Sequence, residues 1–117
     1  MDNLKNITRT LKALSDEGRL RIMSLLNSKK DLCVCEIKEV IGLSQPAISN
    51  HLKILENAGL VKYAKDGRWI NYNINEKMDK EIKKILDSIL LNIKNGDGII
   101  DDSIKLKKTD RKLICFK

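Results

Sequence analysis

The chain has 117 residues, of which 42% are hydrophobic and 33% charged, with a single proline. That length and mix specify one small helix-rich domain, too short for two cores and too apolar for a disordered chain. No apolar run approaches the roughly 20 residues of a membrane span, and MDNLKNITRTLK lacks the apolar segment of a secretory leader, so the expectation is a cytoplasmic protein with no membrane partner. Lys and Arg outnumber Asp and Glu by 23 to 16, a net charge of +7, which favours an anionic partner such as nucleic acid.

Leu4, Ile7, Leu11 and Leu14 recur at helical spacing and predict an amphipathic helix over 3–14. Ser15 is a candidate cap for a second helix, whose apolar positions Leu20, Met23 and Leu26 run to about Asn27. The polar stretch Asn27 to Asp31 breaks it. A third helix follows from Val34 to Ile41, closed by Gly42. Ser44-Gln45-Pro46 then carries a start signal, because serine caps and proline suits a first turn whose N–H groups have no helical partner. That fourth helix runs to about Ala58, with Gly59 as its stop.

The period next changes to an alternating one, with Ile70, Tyr72 and Ile74 on one side of a strand, and Asp66-Gly67 predicts a two-residue hairpin turn. From Glu76 to Asn95 the helical pattern returns, with Met78, Ile82, Ile85, Leu86, Ile89, Leu90 and Ile93 in one apolar stripe. Gly96-Asp97-Gly98 ends that helix. Residues 1–95 thus read as the folded domain and 96–117 as a basic C-terminal tail to which the pattern assigns no structure.

Two short helices joined by a glycine-containing turn and followed by a basic hairpin is the order of a winged helix-turn-helix. The expected fold is mainly α with a small β-hairpin wing, in the order ααααββα. At about 100° per residue, Ala47, Ile48, His51, Leu52, Ile54, Leu55 and Ala58 gather on the packed side of the fourth helix. Gln45, Ser49, Asn50 and Lys53 gather on the other. Amide side chains pair with adenine edges, serine both donates and accepts, and lysine reaches guanine or phosphate. Lys65 and Arg68 place two cations at the wing tip, suited to phosphate or minor-groove contact. His51, the only histidine, falls at the edge of the packed arc and reads as a structural hydrogen-bonder or phosphate contact rather than a metal ligand. With no nucleophile–base pairing and no phosphate-binding glycine loop, no enzyme and no catalytic cofactor are expected.

Cys33 and Cys35 in DLCVCEIKEV have three readings: a ligand pair, a redox pair, or small core fillers. Cytoplasmic thiols are held reduced, which disfavours a standing disulfide. If the third helix is ideal and its buried side is set by Ile37 and Ile41, Cys33 lies about 40° from Ile37 and Cys35 about 160° away. Cys35 is therefore not a filler. Residues two apart diverge by about 200° in an undistorted helix, so one ion held by both thiols requires a loosened first turn.

ALSDEGRLRIMSLL, DLCVCEI, LSQPAISNHLKILENAGLV and KDGRWINYNI, in that order over about residues 10–75, closely resemble the ArsR/SmtB family of metalloregulatory repressors, in its arsenic-responsive branch. The resemblance implies a winged-helix homodimer that sits on double-stranded operator DNA and leaves it when a toxic metal or metalloid binds. It places Ser44, Gln45, Ser49 and Asn50 in the DNA-reading helix and gives the apolar stripes of 4–14 and 78–93 a role as the dimer interface. It also implies trivalent arsenic or antimony as the inducer, held by Cys33 and Cys35. The arsenic pattern carries a third cysteine at the position filled here by Lys38, which leaves Cys115 as a candidate third ligand, or as a small residue packed beside its apolar neighbours. The histidines of the zinc and cobalt branch are missing from 76–95, and no cysteine precedes Cys33 as in the cadmium and lead branch. Two rival functions keep the thiols but change their role: a redox-sensing repressor of the same fold, or a metalloid-buffering protein.

Overall fold

A computed structural model describes residues 3–114. The chain runs α1 (Asn3–Leu14), α2 (Glu17–Ser28), α3 (Val34–Ile41), α4 (Gln45–Asn57), β1 (Val61–Asp66), β2 (Trp69–Ile74), α5 (Lys80–Ile93), α6 (Asp97–Lys107) and α7 (Arg111–Ile114). This is the winged helix-turn-helix order, continued by two further helices in the segment to which the sequence pattern assigned no structure.

The centre is built by α2, α3 and α4, whose Ile22, Met23, Ile37, Val40, Ile48, Leu52 and Leu55 are all fully buried. In α3 and α4 these positions recur at three- and four-residue spacing, and in α2 Ile22 and Met23 do so with the buried Leu25 and Leu26, which turns one stripe of each helix inward. Gly42 makes the sharp turn from α3 into α4 at φ 81°, a left-handed conformation that only glycine adopts without strain. Ser44 caps α4 by accepting the Ala47 N–H, with Pro46 in the first turn.

Four local expectations are corrected. The cap of α2 is Asp16, not Ser15: its carboxylate accepts the Arg19 N–H at 3.0 Å, which holds that carboxyl below the usual carboxylate range. The wing loop is Gly67-Arg68 rather than Asp66-Gly67, because Asp66 pairs with Trp69. Gly67 has φ 61° and Arg68 does not share a positive φ, the pattern of a II′ turn. Helix α5 starts at Lys80 rather than Glu76, because Asn75 diverts the chain into a turn. Its amide donates to the Gly59 carbonyl and its side-chain oxygen accepts the Lys77 N–H, and Asp79 then caps the helix through the Glu81 N–H. Finally, β2 buries Asn71 and exposes Ile70, against the expected alternation, because Arg111 of α7 closes over the asparagine side.

The two outer apolar stripes divide. Leu14, Ile82, Leu86 and Leu90 enter the protein's own core, while Ile7, Ile85, Ile89 and Ile93 are half-covered against it. Leu4, Leu11 and Leu91 stand largely in solvent, Leu4 at 72% and Leu91 at 62% exposure.

Helix α6 docks on α2 and α3. A two-pronged ion pair holds it: Arg21 Nε and one terminal nitrogen each lie 2.8 Å from the two oxygens of Asp102. Asp102 is buried, and a carboxylate there is stable only with such a partner. Leu106 adds an apolar contact to the core. Among the described residues no helix is long and apolar enough to cross a membrane.

Candidate nucleic-acid interface and thiol site

The outward face of α4 is the one expected from its period. Gln45, Ser49, Asn50 and Lys53 are exposed, while Ile48, Leu52, Leu55 and Ala58 are buried and Ala47, His51 and Ile54 are half-covered. Ser44 is exposed, but its hydroxyl is engaged in capping, so its first task is to start the helix. The wing presents Lys65 near its tip and Arg68 within its loop, both exposed. The paired register β1 to β2 fixes their reach, with Tyr63 directly opposite Tyr72 and their rings 5.9 Å apart.

His51 is a half-buried tie rather than part of the outward face. Its Nδ1 lies 3.3 Å from an Arg19 terminal nitrogen, whose Nε donates to the Ala13 carbonyl. Nε2 lies 3.9 Å from the Asp16 carboxylate. The ring thus fixes α4 to the start of α2 and the end of α1.

Cys33 is the N-cap of α3, with extended backbone at φ −90° and ψ 166°, and is only 4% exposed. Cys35 is half-buried two positions later, and no disulfide joins them. The ideal-helix divergence of about 200° therefore does not apply to this pair, because the helix begins at Val34 and Cys33 lies outside it. Two thiols straddling a cap have more freedom to converge than two within a helix. Cys33 and Cys35 thus flank the first residue of a helix, where backbone N–H groups have no helical partner.

Sequence reasoning missed the frame around that cap. Glu36, buried at 2% exposure, reaches back to accept the Cys33 N–H at 3.1 Å. This is a capping box with cysteine where serine usually stands, and the three-residue spacing from Cys33 to Glu36 was its available signal. The Arg111 guanidinium lies 2.8 Å from Glu36, and the Lys29 ammonium 3.9 Å away. Just upstream, Asp31 takes φ 61°, an unfavourable conformation for a side chain other than glycine. Asn73 of β2 holds it there, accepting the Asp31 N–H at 2.8 Å and donating to its carboxylate at 2.9 Å. Leu32 then pairs with Tyr72 through both backbone groups. The strand-like approach to the thiols is therefore zipped to the wing.

Among the described residues no group of three His, Cys, Asp or Glu is arranged to hold a metal ion. The described donor set is two thiols, which suits a soft ion that accepts two sulfurs. Cys115 lies outside the described residues.

Comparison with known proteins fits this geometry. The model of the family described as bacterial regulatory protein, arsR family, matches residues 16–63. An uncharacterized HTH-type transcriptional regulator of Methanocaldococcus jannaschii is 39% identical over 89 residues, covering 76% of this chain and 100% of that one. This chain belongs to the arsR family. A cadmium resistance regulatory protein homolog of Staphylococcus aureus is 33% identical, over 76% of this chain and 71% of that one. The arsenical resistance operon repressor of Bacillus subtilis is 36% identical, over 81% and 90%. Among solved structures, the homodimeric winged helix-turn-helix DNA-binding domain Mb0332 of Mycobacterium bovis matches with a TM-score of 0.65 at 25% identity, over 76% of this chain and 79% of that one. This arsR-family chain is a DNA-binding transcriptional repressor.

Proposed function

We propose that two copies of the chain occupy operator DNA and release it when trivalent arsenic or antimony is captured by Cys33 and Cys35. The observation that carries this reading is the position of the thiols: they open α3, the helix on which the reading helix α4 packs. Gln45, Ser49, Asn50 and Lys53 meet base edges and phosphate in the major groove. Lys65 and Arg68 neutralise backbone charge beside it.

Capture is a ligand exchange without electron transfer. Each thiol transfers its proton to a hydroxide of arsenous acid, which leaves as water, and an As–S bond forms in its place. Two thiols thus give two As–S bonds and two waters. Because Cys33 is buried, closing both bonds draws its sulfur outward and loosens the first turn of α3. If the loosened state holds DNA less well, inducer and operator weaken one another reciprocally, typically by about 5- to 150-fold.

A cadmium resistance regulator also stands among the relatives, which makes cadmium the inducer to test beside arsenite. The test is titration of the protein on a duplex selected from a random pool, with arsenite, cadmium and peroxide in separate arms. Arsenite release in the wild type that is lost in Cys33→Ser and Cys35→Ser is the expected result. Release that persists in Cys35→Ser would sink the ligand assignment, release by peroxide alone would favour redox sensing, and no selected duplex at all would favour metalloid buffering.

A further inference from the structure

We propose that Arg111 is a positioning residue for induction: it carries the opening of the α3 cap to the wing. The inference rests on Cys33 and Cys35 being the inducer ligands. Arg111 stands at the start of α7, yet its guanidinium meets three separate parts of the DNA-binding unit. It pairs with Glu36 of α3 at 2.8 Å. It donates to the Asp31 carbonyl on the approach to Cys33 and to the Asn71 side-chain oxygen of β2 at 3.0 Å. Its carbon centre lies 4.7 Å above the Trp69 ring at the first position of β2.

Each contact uses what a guanidinium alone among side chains offers: several fixed N–H donors in one plane, and a flat face that stacks on an indole. The Glu36 carboxylate is shared, one oxygen serving both the Cys33 N–H and Arg111. Any motion that pulls Cys33 from its cap therefore removes a donor from Glu36 and displaces the carboxylate against which Arg111 is set. The other side of the same guanidinium is the wing. The Leu32–Tyr72 pairing ties the approach strand to β2 as well, but it joins the backbone before the cap. Arg111 joins the cap itself.

The anchor for this arrangement is α6, fixed to α2 by the buried Asp102–Arg21 pair. Arg111 approaches the cap from α7, which packs on α3 and follows α6, the helix that this pair ties to α2. Loosening confined to the first turn of α3 changes the contacts of Arg111 and leaves the Asp102–Arg21 anchor on α2 in place, which is what a transmitting group requires.

Trp69 is the only tryptophan in the chain, so its fluorescence reports the stacked guanidinium. Three readouts are taken for wild type, Arg111→Ala, Arg111→Lys and Glu36→Gln: arsenite stoichiometry, Trp69 emission, and operator affinity with and without arsenite. Far-UV circular dichroism confirms folding, and Glu36→Gln, which keeps an oxygen for the Cys33 N–H, decides the matter if Arg111→Ala is unfolded. Wild type is expected to lose about tenfold in operator affinity on arsenite binding, within the usual span of site-to-site coupling, with the ratio falling to about twofold or less in Arg111→Ala and Glu36→Gln.

Arsenite still binds these variants one to one, and the arsenite-induced change in Trp69 emission disappears. Arg111→Lys, which keeps the charge but lacks the planar fork, does not restore the response. Full wild-type ratios in both Arg111→Ala and Glu36→Gln overturn this inference and leave the thiol reading standing. A wild type that neither binds arsenite nor releases DNA overturns the thiol reading, and this inference with it.

Discussion

At the scale of single residues, exposure and engagement separate the side chains we propose to read DNA from those that hold the helix carrying them. Asn50 and Lys53 are exposed on α4 and are not needed for packing, so their substitution changes binding without changing stability. Asn50→Ala is expected to cost about 1–3 kcal/mol on the preferred duplex and to relax base preference at one position, whereas Lys53→Ala weakens all sequences alike and lowers the salt slope by about one. Fluorescence anisotropy across a salt series on matched and mismatched duplexes distinguishes the two. Asp16 is a residue of the other kind. Asp16→Ala is expected to remove about 1 kcal/mol of stability at neutral pH by uncapping α2. The Arg19 N–H lowers the Asp16 pKa on folding, so this contribution is present at neutral pH and vanishes as acid takes the pH down through the lowered folded value. Urea melts of wild type and variant therefore converge in acid, and a constant gap would contradict the assignment.

At the scale of elements, legibility in the sequence follows the distance over which each signal acts. The limits of α3 and α4 were readable because their caps, Gly42 and Ser44, sit beside the residues they serve. Ser15 and Asp16 are adjacent capping types, and only the Arg19 contact decides between them. The C-terminal helices were not readable, because what fixes them is remote: Asp102 meets Arg21 across 81 positions and Arg111 meets Asp31 across 80. The exposed face of α4 was readable, as was the Cys33–Glu36 spacing of the cap, whereas the Asn73 and Arg111 contacts that complete the frame were not, for the same reason. Two predictions belong here. Gly42→Ala meets nothing within 4 Å of the added carbon, so its cost is the backbone alone, about 1–2 kcal/mol; Gly42→Asn, which tolerates the left-handed region, is expected to lose less in the same thermal melts. Arg21→Met strands a buried carboxylate and is expected to lose about 3 kcal/mol, the lower end for such pairs because Arg21 is partly solvated, while Arg21→Met with Asp102→Leu recovers most of it. Urea denaturation of the single and double variants reads both values.

At the scale of the whole molecule, two associations with opposite physics meet in one chain. Each copy carries a net charge of +7, so the pairing we propose through α1 and α5 has to overcome repulsion, and Leu4, Leu11 and Leu91, exposed on those helices, supply the apolar surface that does so. DNA binding instead draws on that charge by releasing counterions. Added salt is therefore expected to strengthen pairing and weaken operator binding, a divergence that a single ionic contact surface would not produce. Leu4→Glu and Leu91→Glu place a carboxylate in the apolar contact and are expected to give monomers at micromolar concentration, with operator affinity reduced at least about tenfold because a monomer engages one half-site instead of two. Leu113→Glu is the control: Leu113 is 68% exposed but belongs to α7, which packs on α3, so the dimer survives. Sedimentation velocity at two salt concentrations checks the assembly, and anisotropy on full and half operators checks its consequence. If the Leu4 and Leu91 variants stay dimeric, or bind a full operator as tightly as wild type, the pairing surface lies elsewhere.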